Sequence, residues 1–306
     1  MRLATIQAMA GRWLLVVALL GAAGAAGAAG AAGAAGWQVR DDEGRLLSLS
    51  AAPQRIVSLA PGATAMLFAA GGGARIVGTP EFSDEPEAAR AITRIGDSHG
   101  FDIERILALH PDLIVAWSGG AAAAQLLPFE RAGLPVYRHR VTRLDDLPRS
   151  LERLGVLLHT EAEAQRAAGA LSERIAAIRA RYHRASSPRL LVQVWDRPVY
   201  TLGGGQLISD AVEACGYSNV YAELHDAAPA VSLESIAARD PDVILALAAD
   251  ARSAQQWIDH WRSFPALRAV RDHRVINFVD VRLSRLGPET VSATEALCVT
   301  LAAAAP

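Results

Sequence analysis

Residues 103–117 read IERILALHPDLIVAW, and residues 233–247 read LESIAARDPDVILAL. Each copy opens with apolar residues at helical spacing and ends in a short apolar run of the kind that forms a buried strand. A helix that feeds a buried strand is half of a βαβ unit, and its recurrence implies two α/β lobes rather than one. Two copies are too few for a solenoid.

The surrounding sequence extends the pattern. RIVSLA from Arg55, LIVAW from Leu113 and PVYRH from Pro135 read as strands, with the helical patterns ATAMLFAAG and IERILALH between them. A second series follows Pro188: RLLVQVW, LISDAVEACG, DVILAL and RVINFV. The alternation predicts mainly parallel sheets in both lobes.

One long helix is expected between the series. Thr160 and Glu163 have the spacing of a capping box, and Leu171, Ile175, Ile178 and Tyr182 keep helical period until Ser186, Ser187 and Pro188. From about Glu161 to His183 such a helix would be roughly 35 Å long. A strut of that kind lets a cleft open only slightly, unlike a Gly/Ser tether.

The expected organisation is therefore a targeting and low-complexity segment over 1–36, an N-terminal extension over 37–54, a first lobe over 55–159, a connecting helix over 160–186 and a second lobe over 187–306. The first segment has two arginines, a short apolar run, WLLVVALLGAAG, and then Ala/Gly repeats, which is the order of a secretory signal. Its apolar core is too short to span a bilayer, which takes about 20 residues.

The 306 residues carry a formal charge of −2, so no nucleic-acid footprint is indicated. Cys215 and Cys298 are the only cysteines, which excludes a CxxC redox pair and a multi-cysteine zinc site. In an oxidising compartment an even count favours one structural bridge, with two buried thiols as the alternative.

RIVSLAPGATAMLFAAG, DIERILALHPDLIVAW, QVWDRPVYTLGG, LISDAVEACG and RVINFVDVRLSRLGP occur in an order that resembles the periplasmic substrate-binding proteins of cobalamin ABC importers, within a wider group that also binds haem and iron-siderophores. The resemblance runs from Arg55 to Leu301. It implies two Rossmann-like lobes on one backbone helix, a monomer, cobalamin as cargo rather than resident cofactor, no metal site, and an importer permease as partner.

A corrinoid site needs broad aromatic faces, open backbone groups and few charges. Trp117 ends a strand at the carboxyl edge of the first sheet, where ligands bind in open α/β folds. Phe82 in PEFSD and Tyr200 in PVYTLGG match positions of aromatic contact in the family. Gly62 stands at a helix start, Arg285 matches an arginine near the ligand, and Asp280 lies close to an acidic position. Where the family's cobalamin binder has two further cleft tryptophans, this chain has Ser98 and Ala228; Trp195 offers aromatic area from the other lobe. A haem reading stays open, with His99, Tyr200 or His225 as axial ligand.

Glu104 and Glu234 follow two residues after Asp102 and Ser232, which places each in the first turn of a helix, where a negative charge suits the macrodipole. By resemblance they are docking glutamates, one on each lobe, that meet arginines on the permease. An enzyme is the competing class. Gly203–Gly205 lacks a P-loop ending, Ser118 lacks a nucleophile elbow, and no H-E-x-x-H is present, so neither a base nor a charge-stabilising group can be assembled.

Overall fold

The computed structural model describes residues 37–97, 100–119 and 124–304. The targeting segment and the readings placed on Ser98 and His99 lie outside the described residues.

The first half runs β1 (Trp37–Arg40), β2 (Leu46–Leu49), β3 (Ile56–Ser58), α1 (Pro61–Ala69), β4 (Ile76–Gly78), β5 (Gly96–Asp97), β6 (Gly100–Phe101), α2 (Ile103–Ala108), β7 (Leu113–Trp117), α3 (Leu127–Arg131), β8 (Val136–His139) and α4 (Asp146–Leu158). Then comes α5 (Glu161–Tyr182). The second half runs β9 (Arg189–Gln193), β10 (Val199–Tyr200), α6 (Leu207–Ala214), β11 (Ser218–Asn219), β12 (Ala230–Val231), α7 (Leu233–Arg239), β13 (Val243–Ala246), α8 (Ala251–Trp261), α9 (Arg268–Arg271), β14 (Val275–Asn277) and α10 (Glu289–Ala303).

Each half builds a four-stranded parallel sheet, in the orders β4-β3-β7-β8 and β11-β9-β13-β14. In chain sense both orders are second, first, third, fourth. The central strands are apolar on both faces, as a sheet covered on two sides requires: Ile56, Val57, Ile114 and Val115 in one, Leu191, Val192, Ile244 and Leu245 in the other, all fully buried.

The repeat does the same structural task twice. Helices α2 and α7 are capped by Asp102 (Arg105 N to Oδ1, 2.9 Å) and Ser232 (Ser235 N to Oγ, 3.2 Å), and bury Ile106 and Ile236. Each ends on a residue in the left-handed region before proline, His110 at φ 47° and Asp240 at φ 40°. The next aspartate then clips the lobe's first strand: Asp112 accepts from the amides of Gln54 (2.7 Å) and Arg55 (2.9 Å), and Asp242 accepts from that of Arg189 (2.9 Å).

Helix α5 buries Ala164, Ala168, Leu171, Ile175 and Ile178 at three- and four-residue intervals. It is pinned along its length, since Arg179 binds Asp145 (2.8 Å) and Asp210 (3.2 Å) and Arg174 binds Glu295 (2.9 Å). Its start differs from the expected capping box. The Thr160 hydroxyl donates to the Ala70 carbonyl and its amide to Gly155 (2.9 Å), so no donor is left for Glu163 to cap. Cys215, at the end of α6, and Cys298, on α10, form a buried disulfide. Among the described residues no helix is long and apolar enough to cross a membrane.

Candidate functional site

Where the strand order of an α/β sheet reverses, between its first and third strands, the loops leaving their carboxyl ends part and open a crevice. In the first half these are the loops after β3 and β7. With the start of α6 and the Ser284–Leu286 segment from the second half they enclose an open cavity of about 600 Å³. That volume is in the range of small-molecule sites, and the lining is mostly apolar.

Trp117, Phe82 and Arg285 line this cavity. Trp117 is not a core residue. It is 39% exposed, and Gly119 lies under its indole so closely that a Cβ there would stand 2.2 Å from Cζ2. Phe82 is 68% exposed and its backbone is left-handed, φ 64°, a conformation unfavourable for a bulky side chain that here turns the ring outward. Ala60, Pro61 and Ala63 line the cavity around Gly62, whose own Cα is covered by the Arg285 carbonyl.

Four expected contacts, Gly62 among them, lie outside the lining. Trp195, in the turn after β9 and 60% exposed, forms a β-bridge with Tyr200 of β10. Asp280 caps a 3-10 turn and is engaged by Arg282 at 2.6 Å, so its charge is already matched. His225 and Ala228 are exposed.

A buried polar group in the cavity wall, His139, went unrecognised in the sequence, where it reads as the last residue of a buried strand. It is the register partner of Trp117. Its Nδ1 lies 2.9 Å from Asp42 Oδ2, and its Nε2 lies 3.0 Å from the carbonyl oxygen of Leu286, in the cavity segment of the second half. Asp42, in the β1–β2 turn, also accepts from Tyr137 Oη (2.7 Å), Ser150 Oγ (2.7 Å), Arg153 Nη1 (2.9 Å) and the Arg140 amide (3.1 Å). Burial opposes charge on both partners. The mutual hydrogen bonds outweigh it, so the Asp42 carboxyl is held below its usual range and the His139 ring above its own.

Ser150, His139 and Asp42 are a hydrolase's residue types in another geometry. Both the serine and the carboxylate meet Nδ1, and Nε2 is spent on a backbone carbonyl, so no ring nitrogen serves as base toward the serine. Ser118 is likewise occupied, donating to Glu43 at 2.8 Å. Gly203 and Gly204 lie against carbonyl oxygens of Leu224, Asp226 and Ala222; the glycines serve close backbone approach, and those oxygens repel a phosphate. Among the described residues no three His, Cys, Asp or Glu side chains gather as a metal site.

Glu104 and Glu234 are both exposed, in the first turns of α2 and α7. The Glu234 carboxyl is lowered by its own backbone amide and by Ser232.

Residues 56–280 match the protein family described as Periplasmic binding protein. The Vitamin B12-binding protein of Vibrio parahaemolyticus is 30% identical over 245 residues, which cover 80% of this chain and 88% of that protein. The crystal structure of the periplasmic vitamin B12 binding protein of Vibrio cholerae superposes with a TM-score of 0.72 at 30% identity, over 83% of this chain and 98% of that one. A periplasmic heme-binding protein of Roseiflexus is 26% identical with a TM-score of 0.68, over 83% and 99%.

Proposed function

The chain belongs to the periplasmic binding protein family, and from that membership we propose that it captures cobalamin or a related corrinoid between its lobes and delivers it to the permease of an ABC importer. The observation that carries this reading is the open apolar cavity walled by Trp117, Phe82 and Arg285, at the sheet edge where ligands of α/β folds bind. An aromatic face can cover a corrin ring, and a single arginine with open backbone suits its amide side chains. Relatives at 30% identity that bear the name of vitamin B12 binding support the same ligand. A haem would need an axial ligand, and the cavity's His139 has both ring nitrogens engaged.

The remaining parts follow from that role. Residues 1–36 act as an export signal and the mature chain works as a periplasmic monomer. Gly62 positions rather than touches the ligand, and Trp195, Tyr200 and Asp280 contact only the parts of a large ligand that extend past the cavity. Glu104 and Glu234 offer one equivalent charge on each lobe, the arrangement that a two-fold symmetric permease requires.

The test is the absorbance spectrum of protein purified from medium containing corrinoid. Cobalamin bands that remain with the protein support the reading; a haem Soret band, or no chromophore after loading with cyanocobalamin, refutes it.

A further inference from the structure

The β1–β2 turn lies far from the ligand in sequence, yet its acidic side chain reaches the cavity wall through one ring. Asp42 is almost fully buried and accepts five hydrogen bonds, the pattern of an ionised carboxylate. A carboxylate cannot donate, so the 2.9 Å contact with His139 requires a proton on Nδ1. The Leu286 carbonyl cannot donate either, so the 3.0 Å contact on the other side requires a proton on Nε2. Hydrogen-bond accounting alone makes His139 an imidazolium.

Leu286 is left-handed at φ 59°, an unfavourable conformation for a leucine, and the adjacent Arg285 points into the cavity lining. Two contacts with the first half hold this segment: His139 on the Leu286 carbonyl, and the bare Cα of Gly62 beneath the Arg285 carbonyl.

Resting on the ligand reading above, we propose that His139 is a positioning residue for capture: clamped by Asp42, it holds the Leu286 carbonyl and so fixes Ser284–Leu286 and the Arg285 side chain in the cavity wall. Loss of the ring proton leaves the Nε2 lone pair facing the carbonyl oxygen, and the segment is released. The charged or titratable groups that face the ring are Asp42 from the hairpin turn, Tyr137 from β8, Arg153 from α4, through Asp42, and Glu289 at the start of α10. Asp42 and Glu289 favour the cation, and burial opposes it, with the ring held above the ordinary histidine range.

The experiment uses the isotope-labelled full chain. In the ligand-free wild type, nuclear magnetic resonance should find protons on both His139 nitrogens near pH 6, and the Leu286–Gly287 amide should shift with the ring as it titrates. In His139→Gln, where an uncharged amide replaces the Nε2 donor, that shift should be pH-independent. Cyanocobalamin affinity of the wild type should fall about tenfold across the ring's titration. His139→Gln should lose that pH dependence, and His139→Leu should be weak at every pH. A singly protonated ring at pH 6, an amide that ignores the ring, or a His139→Leu variant that binds like wild type with the same pH profile overturns the proposal. A wild type that binds no cyanocobalamin at any pH refutes the corrinoid reading, and the ligand-free spectra then decide the anchoring by themselves.

Discussion

Gly62 lies directly beneath the carbonyl of Arg285: a Cβ at position 62 would stand 1.8 Å from that oxygen. The neighbouring atoms are backbone, which cannot swing aside as a flexible side chain would. Gly62→Ala should therefore push the Ser284–Leu286 segment away from α1, destabilise the fold by about 1–3 kcal/mol as overpacking does, and weaken ligand binding. Urea unfolding and titration of the folded variant measure the two effects; wild-type values in both would show that the segment moves freely.

Asp42→Asn should destabilise the protein by about 3 kcal/mol at neutral pH, because it leaves Arg153 and the His139 ring without their buried partner. The sign of the pH dependence follows from the depressed folded pKa of Asp42. Its contribution is full above the ordinary carboxylate value of about 3.9 and is lost as pH falls through the lower folded value. Urea midpoints of the wild type should fall in that acid window, and those of Asp42→Asn should fall less; parallel curves would remove Asp42 from the account.

The disulfide ties the end of α6 to α10 across a sequence separation of 83. Closure of a loop of that size contributes on the order of 4–5 kcal/mol in the chain-entropy account. Thiol titration of unfolded, unreduced protein should find no free thiol, and reduction should lower the unfolding midpoint. Two reactive thiols would contradict the bridge.

Features that depend on local period could be read before the structure. The repeated helix-to-strand unit, the long α5 and the position of Trp117 at a strand end all follow from spacing and short-range pattern. What escaped notice joins distant residues. Asp42 and His139 are 97 positions apart, and nothing near either marks the other. A histidine ending a buried strand looks like a core residue until the hairpin turn and Leu286 are folded against it. Thr160 and Glu163 show the reverse case, where a local motif matched but the Ala70 and Gly155 carbonyls took the threonine's donors first. Tyr200 and Asp280 rest on resemblance, which gives sequence position without the reach of a side chain, and Trp195 rests on its residue type alone.

Glu104 and Glu234 stand exposed on equivalent helices, so their removal should not disturb the cavity. The double variant Glu104→Ala/Glu234→Ala should bind cyanocobalamin as wild type does, yet deliver it poorly to the cognate importer in proteoliposomes, with each single variant intermediate. Undiminished transport by the double variant would reduce both glutamates to helix-terminal charges.

Isothermal titration of the mature chain with cyanocobalamin, with haemin as competitor and Trp117→Ala alongside, tests the ligand assignment most directly. The account predicts one cyanocobalamin per chain, no displacement by haemin, and a loss of about 1–3 kcal/mol when the indole is removed from a variant that remains folded. Preferential haemin binding, or a Trp117→Ala variant with wild-type affinity, would contradict it.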